Sequence, residues 1–171
     1  MIKIIKGKNE HCDLIAEIGK KSFIESHGES AAKKDIDDFV IKTYNKEVLL
    51  KELKDPSVDY HIIYYKNKVA GYSKIKLNTP NANITQINIT KLDRFYLLKE
   101  YYGLKLAIKL IDFIVELSKN NQQKGIWLAV WIENKRAIKF YTKAGFKIVG
   151  KYDFQISKTH SNPNHIMYLK H

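Results

Sequence analysis

The chain has 171 residues and a formal net charge of +12 at pH 7. This length can bury one sizeable hydrophobic core, and no linker rich in proline, glycine or serine divides it, so one domain spanning residues 1–171 is predicted. The only cysteine, Cys12, excludes an internal disulfide and favours a cytoplasmic location. The apolar runs are too short for a signal peptide or a membrane-spanning helix, so no membrane partner is expected.

Local sequence signals predict alternating strands and helices. The predicted strands are Ile2–Ile5, Tyr60–Lys66, Val69–Leu77, Leu92–Leu98, Ile126–Trp131, Phe146–Phe154 and Ile166–Leu169. The predicted helices run from Asn9 or Glu10 to about Ser26, from a cap at Ser30 to about Thr43, from a cap at Asn45 over Lys46–Lys54, and over Leu104–Asn120 and Lys135–Ala144. Asn67-Lys68 is predicted as a hairpin turn. Hairpins mixed with helical crossovers favour a three-layer α/β fold with one mixed sheet.

The segment from Asn134 to Phe146 reads NKRAIKFYTKAGF and predicts a short amphipathic helix. Asn134 is a good N-cap, because its side-chain oxygen can accept from a free N–H of the first turn. Gly145 can take the left-handed conformation that ends a helix. The phenol of Tyr141 falls on the apolar, buried side of this helix. An asparagine cap and a buried tyrosine are also common in purely structural helices.

The segment Leu92–Ala107 reads LDRFYLLKEYYGLKLA and predicts a buried strand, a turn that contains Gly103, and the start of a long amphipathic helix. Free N–H groups and the positive end of the helix dipole make such a helix N-terminus suitable for binding an anion such as phosphate. Lys105 either contacts the phosphate or belongs to the solvated polar face of the helix.

Together, these two segments resemble the GNAT superfamily of acetyl-CoA-dependent N-acetyltransferases. In that family the turn reads Gln/Arg-x-x-Gly-x-Gly/Ala and binds the pyrophosphate of coenzyme A. Here Gly103 is kept, but Glu100 stands at the Gln/Arg position and Lys105 at the second glycine position. PaiA-type bacterial polyamine acetyltransferases are similar to this chain over the runs Ser22–Gly28, Thr43–Asn45, Gly125–Asn134 and His165–Met167.

The resemblance implies a GNAT fold, which is a three-layer α/β/α arrangement with a mixed, mostly antiparallel sheet. It implies that Tyr141 protonates the leaving thiolate and that Asp93 is the general base. The implied cofactor-binding residues are Phe95, Tyr96, Leu97, Tyr102, Gly103, Leu104, Lys105, Leu106, Ala107, Asn134 and Lys143. The implied substrate-binding residues are Glu25, His27 and Glu29. No spacing of His, Cys, Asp or Glu indicates a metal site.

Acetyl transfer to an amine explains why a carboxylate is needed. An ammonium with a pKa of about 10.4 is almost fully protonated at pH 7, so a base must accept its proton directly or through a water molecule. Asp93 is an uncommon residue inside an apolar strand, although it could instead pair with Arg94 or a nearby lysine. His27 and His61 are alternative bases.

The acceptor is predicted as a small-molecule primary amine. Several acids cluster in the first two helices, namely Glu25, Glu29, Asp35, Asp37 and Asp38, and they favour a cationic amine. Ser157–His165 (SKTHSNPNH) has no carboxylate where PaiA-type relatives tend to be acidic, and the net charge of +12 opposes a polycation. A polyamine therefore competes with other acceptors: an aminoglycoside, an amino acid or a protein N-terminus.

Two further expectations concern partners, and a third concerns the functional class. The lysines are dispersed along the chain and form no compact basic arm, so no nucleic-acid partner is expected. The association of two copies as a homodimer is the second expectation. A non-catalytic CoA-binding module is the alternative from another functional class, because the turn Glu100–Lys105 departs from the family pattern.

Overall fold

The computed structural model describes residues 1–171. Its strands are β1 (Ile2–Lys6), β2 (Val58–Tyr65), β3 (Lys68–Lys76), β4 (Thr90–Leu97), β5 (Gly125–Trp131), β6 (Lys147–Gln155) and β7 (Ser161–Lys170). Its α-helices are α1 (Cys12–His27), α2 (Lys33–Thr43), α3 (Lys46–Lys54), α4 (Leu106–Asn120) and α5 (Lys135–Lys143). Single 3-10 turns cover Asn9–His11 and Lys99–Tyr101. None of the helices combines the length and apolar character needed to cross a membrane.

The strands form one mixed sheet of seven, in the order β1-β2-β3-β4-β5-β7-β6. β4 runs parallel to β5, whereas β1 with β2, β5 with β7 and β6 with β7 are antiparallel. The ladder between β4 and β5 consists only of Thr90 with Ile126 and Lys91 with Trp127. The ladder between β5 and β7 continues along the whole of β5. The predicted α/β class with one mixed sheet is confirmed.

Two compact units share the chain. The first comprises Met1–Ile75 and Arg94–Ile114, and the second comprises Lys76–Asp93 and Val115–His171. The largest fully buried side chains of the first unit include Tyr44, Tyr60, Tyr72, Ile15 and Leu49. In the second unit, Ile89, Trp127 and Ile166 form a buried cluster that is extended by Ile84, Ala129 and Tyr168.

Side-chain caps begin two helices as the sequence predicts. The Asn45 oxygen accepts from the Val48 N–H at 3.0 Å at the start of α3. The Asn134 oxygen accepts from the Ala137 N–H at 3.2 Å at the start of α5. Gly145 has φ +101°, the left-handed conformation expected after a helix. These capping predictions are confirmed.

Other predicted boundaries are wrong. The residue that caps α2 is Ala32, not Ser30. α4 begins at Leu106 rather than Leu104, because Lys105 has φ +61° and therefore cannot be helical. The β2–β3 hairpin turns at Lys66 and Asn67, which have φ values of 48° and 64°, one residue earlier than predicted.

The last strand is longer than its apolar pattern predicts. β7 begins at Ser161 rather than Ile166, and it pairs with β6 from Ser161 opposite Gln155 onward. The polar run Ser161–His165 lacks an apolar alternation, but β6 supplies backbone hydrogen-bond partners for it. About half of the run Ser157–His165 therefore lies in a strand.

Candidate active site

The turn between β4 and α4 has two residues in the left-handed region. Gly103 has φ +82° and Lys105 has φ +61°. A Cβ atom at Gly103 would meet no heavy atom within 4 Å, so backbone conformation rather than crowding favours glycine there. The first N–H groups of α4 lack intrahelical acceptors. A turn that opens onto such a helix N-terminus fits an anionic group such as a pyrophosphate.

The predicted cofactor residues of this turn differ in exposure. Leu104 is 42% exposed, whereas Leu106 is only 1% exposed. Tyr102 and Ala107 are of intermediate exposure, and Lys105 is exposed. Since its side chain belongs to the hydrophobic core, Leu106 has only its backbone N–H to offer a ligand.

Helix α1 contacts the 3-10 turn that follows β4. A carboxylate oxygen of Glu25 accepts from the Lys99 N–H at 2.9 Å. The Lys21 ammonium lies 3.3 Å from the Glu100 carboxylate, and both of these side chains are exposed. Glu25 was predicted to bind substrate, but here its carboxylate fixes the backbone at Lys99. Exposed ion pairs such as Lys21–Glu100 contribute little to stability.

His27, another predicted substrate residue, lies beside the β4 strand. Its ring stacks on Phe23 at 4.9 Å between centroids and meets Tyr96 edge-on at 6.1 Å. Burial lowers the pKa of His27 to about 4, so the imidazole is neutral at pH 7. The structure thus brings His27 together with the predicted cofactor residue Tyr96. Glu29 is exposed in the turn after α1.

Asp93 forms an ion pair on its own strand. A carboxylate oxygen lies 3.0 Å from the Lys91 ammonium, and the Asp93 side chain is 20% exposed. The Lys91 ammonium also lies 5.1 Å from the centroid of the Trp127 ring. The sequence left open a structural pair with Arg94 or a lysine, and the structure contains the lysine pair. Arg94 contacts Glu52 instead.

Tyr141 is 7% exposed and lies among aromatic rings. Its ring centroid is 5.4 Å from that of Phe140 and 5.5 Å from that of Phe146. Burial raises the pKa of Tyr141 well above its usual value, although Arg136 opposes the shift. The phenol is therefore protonated at neutral pH, which is the form a proton donor requires. Its predicted position on the buried side of α5 is confirmed.

The other two predicted residues of this region lie at opposite ends of α5. The Asn134 oxygen is engaged as the N-cap, so its amide nitrogen is the part that can turn to a ligand. Lys143 is exposed in the last turn of the helix.

A buried charged group in the first unit was missed by sequence reasoning. We call it the Glu52 network, and it consists of Glu52, Lys74, Arg94 and Tyr60. The Glu52 carboxylate lies 2.9 Å from the Lys74 ammonium and 3.5 Å from the Arg94 guanidinium. Tyr60 donates to Glu52 and accepts from Arg94 at 2.7 Å. The available signal was Lys74 and Arg94 inside otherwise apolar strands.

Comparison with known sequences gives the family. Residues 18–146 match the Acetyltransferase (GNAT) family. An uncharacterized N-acetyltransferase of Lactobacillus delbrueckii subsp. lactis is 24% identical over 153 residues, which cover 90% of this chain and 88% of that protein. The spermine/spermidine N(1)-acetyltransferase of Bacillus subtilis (strain 168) is 27% identical over 97 residues, which cover 56% of this chain and 64% of that protein.

Comparison with solved structures supports the same fold. The crystal structure of the PaiA N-acetyltransferase from Thermoplasma acidophilum, in complex with coenzyme A, superposes with a TM-score of 0.79 at 23% identity. The match covers 100% of this chain and 99% of that one. The fold predicted from the two sequence motifs is therefore confirmed.

Proposed function

The chain belongs to the Acetyltransferase (GNAT) family and is an N-acetyltransferase that uses acetyl-CoA, and from this premise we propose that it acetylates a small primary amine by direct transfer. The observation that carries the proposal is the position of Tyr141, a buried phenol on α5 in the segment that resembles the family's motif, where the family has its proton donor. In this proposal the amine nitrogen attacks the thioester carbonyl, the C–S bond breaks, and the thiolate takes a proton from Tyr141.

Asp93 is proposed to accept the proton that the attacking ammonium must lose. Loading the neutral amine from bulk solution at pH 7 costs roughly 4 to 5 kcal/mol, which a nearby base reduces. The Asp93 carboxylate is held by Lys91 at 3.0 Å and remains partly exposed, so a water molecule can reach it. Its short side chain favours a water relay over direct proton transfer.

Acetyl-CoA is proposed to bind along β4 and the turn that follows it. Backbone groups of Phe95–Leu97 would hold the pantetheine arm and polarise the acetyl carbonyl, and N–H groups from Tyr102 to Ala107 would hold the pyrophosphate. Lys105, Lys143 and the Asn134 amide nitrogen would add polar contacts. The two left-handed residues at Gly103 and Lys105 support this assignment.

The acceptor is proposed as a small amine, with polyamines as one candidate. The Bacillus subtilis relative acts on spermine and spermidine, but only 56% of this chain aligns with it. The net charge of +12 opposes a polycation, and Glu25 already accepts a hydrogen bond from the Lys99 backbone. Glu29 and His27 remain proposed contacts of the acceptor.

The proposal is tested by binding and then by turnover. Acetyl-CoA should raise the melting temperature of the protein, because a ligand of the native state stabilises it. Gly103→Glu should abolish this shift through like charge and bulk, while Gly103→Ala, with the same backbone strain but no charge, should keep more of it. Thiol release should then follow the addition of amines from a panel that includes spermidine. Absence of both the thermal shift and thiol release would reject the function.

Two further features belong to this proposal. A homodimer is supported by β6, an edge strand whose Ile148 and Tyr152 are 53% and 50% exposed, because an edge strand can pair with a second copy. Light scattering across a concentration series measures the dimer, and a constant monomer mass contradicts it.

A cytoplasmic location agrees with the free cysteine Cys12, and cell fractionation tests it.

A further inference from the structure

The carboxylate of Glu25 caps a short turn that is distant from it in sequence. Glu25 lies in the last turn of α1, and its oxygen Oε2 accepts from the Lys99 N–H at 2.9 Å. Lys99 is the first residue of the 3-10 turn Lys99–Tyr101, whose own N-cap residue, Leu98, makes no side-chain cap. The first N–H groups of a helical turn have no acceptor within it, so α1 supplies an acceptor that the local sequence lacks.

Hydrogen bonds continue from Lys99 to the residue beside Gly103. The Lys99 carbonyl oxygen accepts from the Tyr102 N–H at 3.0 Å, and the Leu98 carbonyl oxygen accepts from the Tyr101 N–H at 2.9 Å. Tyr102 is followed directly by Gly103, which has φ +82°. The Lys99 peptide is therefore bonded on one side to Glu25 and on the other to the residue that leads into the left-handed turn.

The segment between β4 and α4 has a firm anchor at each end and little packing between them. Before it, the Leu98 N–H donates to the Ala70 oxygen of β3 at 2.9 Å. After it, Leu106 is only 1% exposed. In between, Lys99, Glu100 and Gly103–Lys105 are exposed. An exposed segment with few apolar contacts depends on its hydrogen bonds for a fixed conformation.

The two contacts from α1 to this segment differ in kind. The Lys21 ammonium and the Glu100 carboxylate are both on exposed, flexible side chains, and such ion pairs contribute little. The bond from Glu25 instead joins a charged acceptor to a backbone N–H, which makes it stronger and better directed. All four residues belong to the first unit. Glu25 is thus the contact from α1 that can hold the backbone of the turn.

The negative charge of Glu25 does not explain its place beside this turn. A carboxylate on the segment that leads into an anion-binding turn cannot attract the anion. Its oxygen can still accept the Lys99 hydrogen bond, and the side-chain oxygen of a glutamine could do the same without the charge. The hydrogen bond and the charge of Glu25 can therefore be separated by substitution.

We propose that Glu25 is a positioning residue for acetyl-CoA, whose carboxylate holds the segment before Gly103 in the conformation that binds the pyrophosphate. This inference rests on the proposed function and gives Glu25 a role on the cofactor side instead of the acceptor-binding role that the family resemblance implies. Without this contact, the exposed turn samples other conformations, and affinity falls by the fraction of molecules that leave the binding conformation.

Calorimetry with coenzyme A tests the effect on binding. Glu25→Ala removes the acceptor and should raise Kd about fivefold, whereas Glu25→Gln keeps an oxygen acceptor and should stay within about twofold of the unmodified protein. Glu17→Ala removes an exposed carboxylate from the same helix, about two turns earlier, and should leave Kd unchanged. Because the stoichiometry counts only binding-competent molecules, partial loss of folded protein does not alter the fitted Kd.

Hydrogen exchange at the Lys99 amide reports the contact without any ligand. An N–H group that is hydrogen-bonded exchanges more slowly than a free one. Exchange at Lys99, followed by NMR, should be at least about threefold faster in Glu25→Ala than in the unmodified protein. Glu25→Gln and Glu17→Ala should keep the protection.

Steady-state kinetics separate the cofactor side from the acceptor side. In Glu25→Ala, the KM for acetyl-CoA should rise about fivefold, while kcat and the KM for the amine stay within about twofold. In Glu25→Gln, all three values should stay within about twofold. A residue that binds the cationic acceptor would behave differently, because loss of its charge alone would raise the KM for the amine.

The outcomes separate this inference from the proposed function. Three results overturn the inference and leave the acetyltransferase proposal standing: coenzyme A binding in Glu25→Ala as tight as in the unmodified protein, equal weakening in Glu25→Ala and Glu25→Gln, or a raised KM for the amine in Glu25→Gln. The second result would assign the effect to charge, and the third would make Glu25 an acceptor contact. No binding of coenzyme A by the unmodified protein overturns the proposed function and this inference with it.

Discussion

The Glu52 network and the side chain of His61 are both largely buried and polar, yet their hydrogen-bonding groups are satisfied to different extents. In the Glu52 network, the carboxylate meets an ammonium, a guanidinium and a phenol, so every charge has an opposite partner. The Nδ1 atom of His61, in contrast, is buried and makes no hydrogen bond. A closed network stabilises the fold, whereas a buried polar atom without a partner costs stability.

The difference teaches that burial of a polar residue does not by itself indicate function. Arg94 shows this well, because burial opposes its charge, yet Tyr72, Tyr44, Tyr60 and Glu52 raise its pKa above the usual value. The Arg94 guanidinium donates to Tyr60 and lies 5.1 Å from the centroid of the Tyr44 ring. Substitutions in the network should change stability, and substitutions at the proposed site should change catalysis or selectivity.

The largest expected effect is on stability, at the centre of the Glu52 network. Glu52→Gln keeps the shape of the side chain but leaves Lys74 and Arg94, whose side chains are 8% and 13% exposed, without a counter-charge. The free energy of unfolding should fall by about 3 kcal/mol, measured by urea titration. Activity per folded molecule should change less than about twofold. The exposed Glu29→Gln serves as control and should shift stability by less than about 0.5 kcal/mol. A large loss of activity in folded Glu52→Gln would mean that the network belongs to the site.

Tyr141→Phe should reduce activity and leave stability nearly unchanged. It removes the hydroxyl but keeps the ring that packs between Phe140 and Phe146. The rate of acetyl transfer should fall by about 10²-fold, the size expected for a lost general acid, with little change in melting temperature. Tyr64→Phe is a matched tyrosine control outside the proposed site. A loss of less than about threefold would assign Tyr141 to packing alone.

The fold was predictable from sequence to a greater extent than the site. Helix caps at Asn45 and Asn134 and the left-handed Gly145 act locally, so their residue types revealed them. The long strand β7 was not predictable, because Ser161–His165 is held by pairing with β6 rather than by its own pattern. The contact of Glu25 with Lys99 joins residues far apart in sequence, and no local signal reports it.

His61 is a buried imidazole that should make the stability of the protein depend on pH. It is 4% exposed, and burial lowers its pKa to about 4, with Asp59 opposing and Lys6 adding to the shift. Well above pH 6.5 both folded and unfolded states hold a neutral imidazole. As the pH falls from 6.5 to 4, the unfolded state gains a proton that the folded state does not, so stability decreases on acidification.

The decrease in stability on acidification can be measured, and a substitution of His61 should remove part of it. His61 should reduce the free energy of unfolding by about 2 kcal/mol at pH 5 relative to pH 7.5, at 1.36 kcal/mol per unit below 6.5. His61→Leu should flatten that part of the stability–pH curve, while acetyl transfer at pH 7.5 should persist. His27→Leu should flatten it as well, because burial lowers the pKa of His27 to about 4 too. A pH dependence that stays the same in His61→Leu would show that this imidazole is not the cause.

The smallest expected effect concerns Lys105, which combines a strained backbone with a charge beside the proposed phosphate site. A non-glycine residue at φ +61° is disfavoured by steric contact of its Cβ, so Lys105→Gly should raise the free energy of unfolding by about 0.5 to 1 kcal/mol despite the greater chain entropy of glycine. Lys105→Ala keeps the strain, loses the charge, and should bring no such gain.

Acetyl-CoA affinity, measured by calorimetry on the same two variants, reports on the charge of Lys105. If Lys105 contacts a phosphate, both variants bind more weakly, since both lack the ammonium. If both bind as tightly as the unmodified protein, Lys105 is a solvated lysine and only its backbone shapes the turn.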